Sequence, residues 1–162
     1  MRCAFDIEPV KPASFSTSQP ILIVIASGRI APGVGEAKDF VRVVEQVAPT
    51  GPLALAGFSF GAFVTSHTLR QLVERQAPEK VLLVGTAASR FSVAPIAPEL
   101  HERTLVLHGE LDDTVPLASV MDWARPQSLP VTVIPGVEHF FHGQLPLLKS
   151  LTVRHLLAPV HG

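Results

Sequence analysis

Apolar runs and polar breaks alternate along most of the chain. The continuous run "ILIVIA" (21–26) has the length and branching of a buried strand. Residues 36–47, "EAKDFVRVVEQV", set Phe40, Val44 and Val47 on one helical stripe. "PLALAGF" (52–58) predicts a second strand, and "FGAFVTSHTLRQLVERQ" (60–76) a helix with Phe63, Leu69, Leu72 and Val73 roughly on one side. "KVLLVGT" (80–86) and "RTLVLHG" (103–109) predict strands separated by a long connection, 87–102, that carries Pro95 and Pro98. "LASVMDWA" (117–124) is a short predicted helix opened by Pro116, and "PVTVIPG" (130–136) a fifth strand. "QLPLLKSLTVRHLLA" (144–158) predicts a closing helix with Pro146 in its first turn.

Strands that read as unbroken apolar runs and alternate with helices indicate a parallel sheet covered on both faces. The expected fold is therefore α/β, a mostly parallel sheet of about five strands with helices on both faces. Residues 1–20 show no period and are expected to form an irregular arm with a short edge strand, ahead of a single domain over 21–162.

Composition narrows the picture. A chain of 162 residues, 47% hydrophobic and 17% charged, can bury a core and is too apolar for disorder. The formal net charge of -1, with no long block of either sign, offers no footprint for nucleic acid or an acidic membrane surface. Cys3 is the one cysteine, so no intrachain disulfide forms, which fits a cytoplasmic location. "ILIVIA" is too short to cross a bilayer, and Asp6 and Glu8 precede it where a targeting segment carries positive charge.

The candidate chemistry begins at "GFSFG", Gly57 to Gly61, a G-x-S-x-G motif between a strand and a helix. Such a turn lifts a serine hydroxyl from the top of a sheet, and glycines on either side let backbone approach closely. Ser59 is the candidate nucleophile, and the backbone N–H of Phe60 is a candidate donor to an oxyanion. A serine needs a base, and the base an orienting acid. "LVLHGELDDTVP" (105–116) supplies Glu110, Asp112 and Asp113 after a strand; Asp112 is the expected acid, with the other two as alternative readings in a solvated turn. "VEHFFHG" (137–143) follows the last strand and supplies His139 as the expected base, with His142 three residues on. His67, His101, His108, His155 and His161 read as surface or packing residues, His108 as a support for the Asp loop. The histidines lack HExxH spacing and there is no cysteine cluster, so neither metal nor other cofactor is expected.

Together, "GFSFGA", "HGELDDTVP" and "PGVEHFFHG" resemble the lidless bacterial α/β-hydrolases, near the dienelactone-hydrolase and acyl-thioesterase groups, over roughly residues 33–158. The resemblance implies Ser59, Asp112 and His139 as nucleophile, acid and base, and a carboxylic ester or thioester of a small acyl compound as substrate. Dienelactone hydrolases carry cysteine at the elbow where this chain has Ser59. Residues 1–32 do not resemble the amino-terminal part of that family. Either the amino end is shortened or altered, or "ILIVIA" takes the place beside the elbow strand and the loop "SGRIAPG" (27–33) offers the second oxyanion amide. Ser27, Gly28 and Phe140 are expected to contact substrate. The alternative is a catalytically impaired hydrolase fold that acts as a binding module or self-associates as a homodimer through an uncovered sheet edge.

Overall fold

The computed structural model of the chain describes residues 6–8, 22–26 and 35–159. Six strands lie side by side in chain order: β1 (Asp6–Glu8), β2 (Leu22–Ala26), β3 (Leu53–Phe58), β4 (Lys80–Val84), β5 (Thr104–Gly109) and β6 (Thr132–Ile134). β2 to β6 are parallel, and β1 adds antiparallel to β2 with Asp6 opposite Ile25. The arm thus contributes one short edge strand beyond the five parallel ones. Among the described residues, four α-helices accompany the sheet: α1 (Gly35–Val47), α2 (Phe60–Leu72), α3 (Leu117–Ala124) and α4 (Leu145–Leu157).

The central strands β3, β4 and β5 are apolar on both sides because both sides are covered. Leu55, Leu83 and Val106 pack with Phe40 and Val44 of α1, Leu69 and Leu72 of α2 and Val120 of α3. The intervening residues, Ala54, Ala56, Leu82, Val84 and Leu107, face the other way, toward Phe141 and Leu148, Leu151 and Leu156 of α4. α4 keeps Leu145, Leu147, Val153 and Leu157 exposed, so its two sides differ little in polarity. The 87–97 connection is pinned down at several points. Ser66 Oγ accepts from Ala94 N–H (3.0 Å), Trp123 Nε1–H donates to Ala94 O (3.3 Å), and Ile96 N–H donates to Gln127 Oε1 (2.8 Å).

Several elements are shorter than their apolar runs. α2 closes at Leu72, whose carbonyl accepts from both Arg75 N–H (2.9 Å) and Gln76 N–H (2.8 Å). β6 spans three residues between Pro130 and Pro135, which have no N–H to give a ladder. The parallel register sets Ala26 opposite Gly57, Phe58 opposite Val84, and Gly109 opposite Ile134. The strand ends that carry the candidate chemistry therefore open on the same edge of the sheet.

Leu83 is fully buried at the sheet centre. Leu83→Ala is expected to lower unfolding free energy by about 2–5 kcal/mol in urea titrations, and Leu145→Ala, on the exposed side of α4, by no more than about 0.5 kcal/mol.

Candidate active site

Ser59 sits between β3 and α2 with φ 53° and ψ -113°, a backbone conformation that side-chain-bearing residues rarely adopt. Holding it costs about 1–3 kcal/mol, which the surroundings must supply. They do so by close contact. Ser59 N–H donates to Val84 O of β4 (2.8 Å), and Ala62 N–H donates to Ser59 O (3.1 Å). A Cβ at Gly57 would overlap the carbonyl of Gly61, and one at Gly61 would overlap the carbonyl of Ala26. Glycine is the residue that lets strand, turn and helix meet at this distance.

The β5 and β6 strand ends supply the other two groups. Their loops are braced together: Glu110 N–H donates to Ile134 O (3.0 Å), Leu111 N–H to Val137 O (2.9 Å), and Gly136 N–H to Glu110 Oε2 (2.9 Å). Asp112 is buried. Its Oδ1 accepts from Thr114 N–H (3.0 Å) and Val115 N–H (2.7 Å), and its Oδ2 accepts from His139 Nδ1–H (2.6 Å). The other ring nitrogen, Nε2, accepts from the Ser59 hydroxyl at 3.1 Å. Ser59, His139 and Asp112, drawn from three strand ends 27 to 80 residues apart in the chain, thus form one hydrogen-bonded relay.

The remaining candidates divide clearly. Asp113 is exposed and takes only the Thr114 hydroxyl, at 3.4 Å. Glu110 braces the two loops rather than facing His139. His142 points to solvent against Glu138 (2.9 Å). Glu138 also accepts from Phe140 N–H and His142 N–H, and these bonds hold its carboxyl below the usual glutamate range. Phe60 N–H belongs to the first turn of α2, where amides have no acceptor within the helix. Ser27 and Gly28 lie outside the described residues. Phe58 (38% exposed) and Phe140 (55%) flank the His139 ring, each with its centroid 5.0 Å away. The Phe60 side chain is instead buried against Phe63 and Phe91, and Phe141 is buried as well. A cleft of about 390 Å³ between α2 and residues 95–100 is lined by Leu69, Arg70, Ile96 and Gln127 among others, and by none of the relay residues. Among the described residues no group of three or more His, Cys, Asp or Glu could hold a metal ion, and no helix is long and apolar enough to cross a membrane.

No protein-family model and no curated protein matches the chain. Solved structures do. An α/β serine hydrolase without a lid from Xanthomonas campestris is 29% identical, with a TM-score of 0.59, over 76% of this chain and 56% of its own. An α/β serine hydrolase homologue from Coxiella burnetii is 31% identical, with a TM-score of 0.56, over 80% of this chain and 62% of its own. The chain belongs to the α/β-hydrolase superfamily. A type II thioesterase of the yersiniabactin pathway shares the fold at 24% identity and a TM-score of 0.56. The chain spans between half and two thirds of the length of the two serine hydrolases. β2 stands directly beside the elbow strand β3, the place considered for "ILIVIA", and the loop 27–33 lies outside the described residues.

One feature of this α/β-hydrolase site escaped sequence reasoning. Phe141 has φ 57° and drives its ring into the core below His139, and no glycine or asparagine marks that turn. His108, read from the sequence as a support for the Asp loop, is wholly buried against Asp112. Burial, foremost, holds His108 below the usual histidine range; His155, whose Nε2–H donates to Val81 O (3.0 Å), is lowered by burial and by nearby Lys80. A buried neutral histidine must charge when the chain unfolds in acid, so its stabilisation is intact above the unfolded value of 6.5 and declines as pH falls below it. Thermal melts between pH 7.5 and 5 are expected to show Tm falling with pH, and His108→Gln with His155→Gln to flatten that slope. Glu138 adds little to this slope until pH approaches the ordinary glutamate value of 4.5.

Proposed function

We propose that the chain is a serine hydrolase that cleaves a small carboxylic ester or thioester through Ser59, His139 and Asp112. The observation that carries this reading is the relay itself: a strained serine at 3.1 Å from an imidazole whose other nitrogen lies 2.6 Å from a buried carboxylate. The likeness to the Xanthomonas serine hydrolase and the Coxiella serine hydrolase homologue supports it.

In this mechanism Ser59 Oγ attacks the acyl carbon as its proton passes to His139 Nε2. Asp112 holds the ring with Nε2 toward the serine and stabilises the imidazolium that forms. The acyl oxygen becomes an oxyanion, and Phe60 N–H at the start of α2 donates to it, aided by the positive end of the helix dipole. A second amide is assigned to the loop 27–33, since Ser27 follows Ala26, whose carbonyl lies against Gly61. The tetrahedral species collapses, the bond to the leaving oxygen or sulfur breaks, and that atom takes the proton from Nε2. Water then attacks the acyl-enzyme by the same path in reverse. Phe58 and Phe140 flank the imidazole that protonates the leaving group, so they contact that side of the substrate.

A panel of p-nitrophenyl esters separates this from a non-catalytic role. Wild-type protein is expected to hydrolyse short-chain members, with kcat lowered about 10³-fold or more in Ser59→Ala and in Asp112→Asn. Equal hydrolysis by wild type and Ser59→Ala would refute the mechanism.

A further inference from the structure

His108 ends β5 four residues before Asp112, and none of it is exposed. Its Nε2 lies 2.9 Å from Val115 O and 3.5 Å from Asp112 Oδ2. A carbonyl oxygen can only accept, so the proton of the neutral ring is on Nε2. The opposite nitrogen, Nδ1, is buried with no hydrogen-bond partner. That orphan atom makes the tautomer single. Moving the proton to Nδ1 would bury an unsatisfied N–H and leave Val115 O without its donor, each at a cost. A second proton would meet the same dead end.

The contacts form a closed chain. His108 Nε2–H holds Val115 O, and Val115 N–H holds Asp112 Oδ1, which turns Oδ2 toward His139. The positive edge of the same N–H also faces Oδ2, on which His139 Nδ1–H converges. Among the described residues no other group donates to Val115 O.

We propose that His108 is a positioning residue: a permanently neutral, Nε2-protonated histidine that locks Val115 and through it the orientation of Asp112 toward His139. The kinetic part of this rests on the hydrolase reading; the tautomer and the orientation do not. The role differs from that of a packing residue in requiring a donor at one atom.

The test combines histidine ¹⁵N spectra with kinetics of three proteins: wild type, His108→Leu and His108→Gln. At pH 7 the wild-type His108 signals are expected to be those of a neutral ring protonated on Nε2. The low-field proton of the His139 Nδ1–H bond is expected in wild type, shifted or lost in His108→Leu, and restored in His108→Gln, whose amide N–H can reach Val115 O. On a p-nitrophenyl ester, His108→Leu is expected to lower kcat about ten- to a hundred-fold with KM little changed, the size of a lost hydrogen bond in a charged network, and His108→Gln to recover most of it. A charged or Nδ1-protonated His108 in wild type overturns the proposal, and this reading survives even if His108→Leu fails to fold. An unchanged low-field proton and kcat in a folded His108→Leu overturns it equally. If wild type turns over no ester, the hydrolase reading fails, while the tautomer and the low-field proton still decide the role of His108.

Discussion

A buried carboxylate without partners costs several kcal/mol, and Asp112 avoids that cost only because three N–H groups and a second histidine edge converge on it. The need to satisfy this one group organises the carboxyl end of the sheet. The turn 109–115 folds so that Thr114 and Val115 present their amides to Oδ1. The β6 loop approaches so that His139 reaches Oδ2, and the braces from Glu110 and Leu111 to Ile134 and Val137 keep it there. Removing either partner would leave a charge or an imidazole N–H buried and unpaired, so the two loops hold each other in place.

Ser59 imposes the second demand. Its backbone is held in a conformation that is unfavourable in isolation and is stable because β2, β4 and α2 leave the chain no other route. Rigid support on one side and a fixed carboxylate on the other leave His139 to bridge them, with Gly85 of the β4 end so close that a Cβ there would press on its ring. Strain, burial and hydrogen bonding therefore act on one point above the sheet, reached from three strand ends.

Much of this was legible in the sequence, for physical reasons that can be named. Apolar runs such as "KVLLV" show because each central strand packs against helices on both faces, and the helical stripe of Phe40 and Val44 shows because α1 has one buried face. Ser59, Asp112 and His139 stood out because each follows an apolar strand, and in a parallel sheet those ends meet. The extent of β6 was overestimated, since flanking prolines cannot enter a ladder whatever their polarity. Phe58, Phe60, Phe140 and Phe141 flank the motifs alike in sequence, but the rings of Phe60 and Phe141 are buried while those of Phe58 and Phe140 are exposed. Nothing local in the sequence separates these, because the direction of a side chain depends on where the turn ends and the helix begins. The expected contacts at Ser27 and Gly28 fall outside the described residues.

The central claim is that Ser59 is a nucleophile made reactive by His139 and Asp112. Intact-mass and peptide-mapping spectrometry after exposure to a fluorophosphonate tests it directly, since this reagent bonds covalently to an activated serine. One adduct per chain, mapped to Ser59 and absent in His139→Gln, is the result predicted. Folded wild-type protein that stays unlabelled, or a label on another residue, would contradict it.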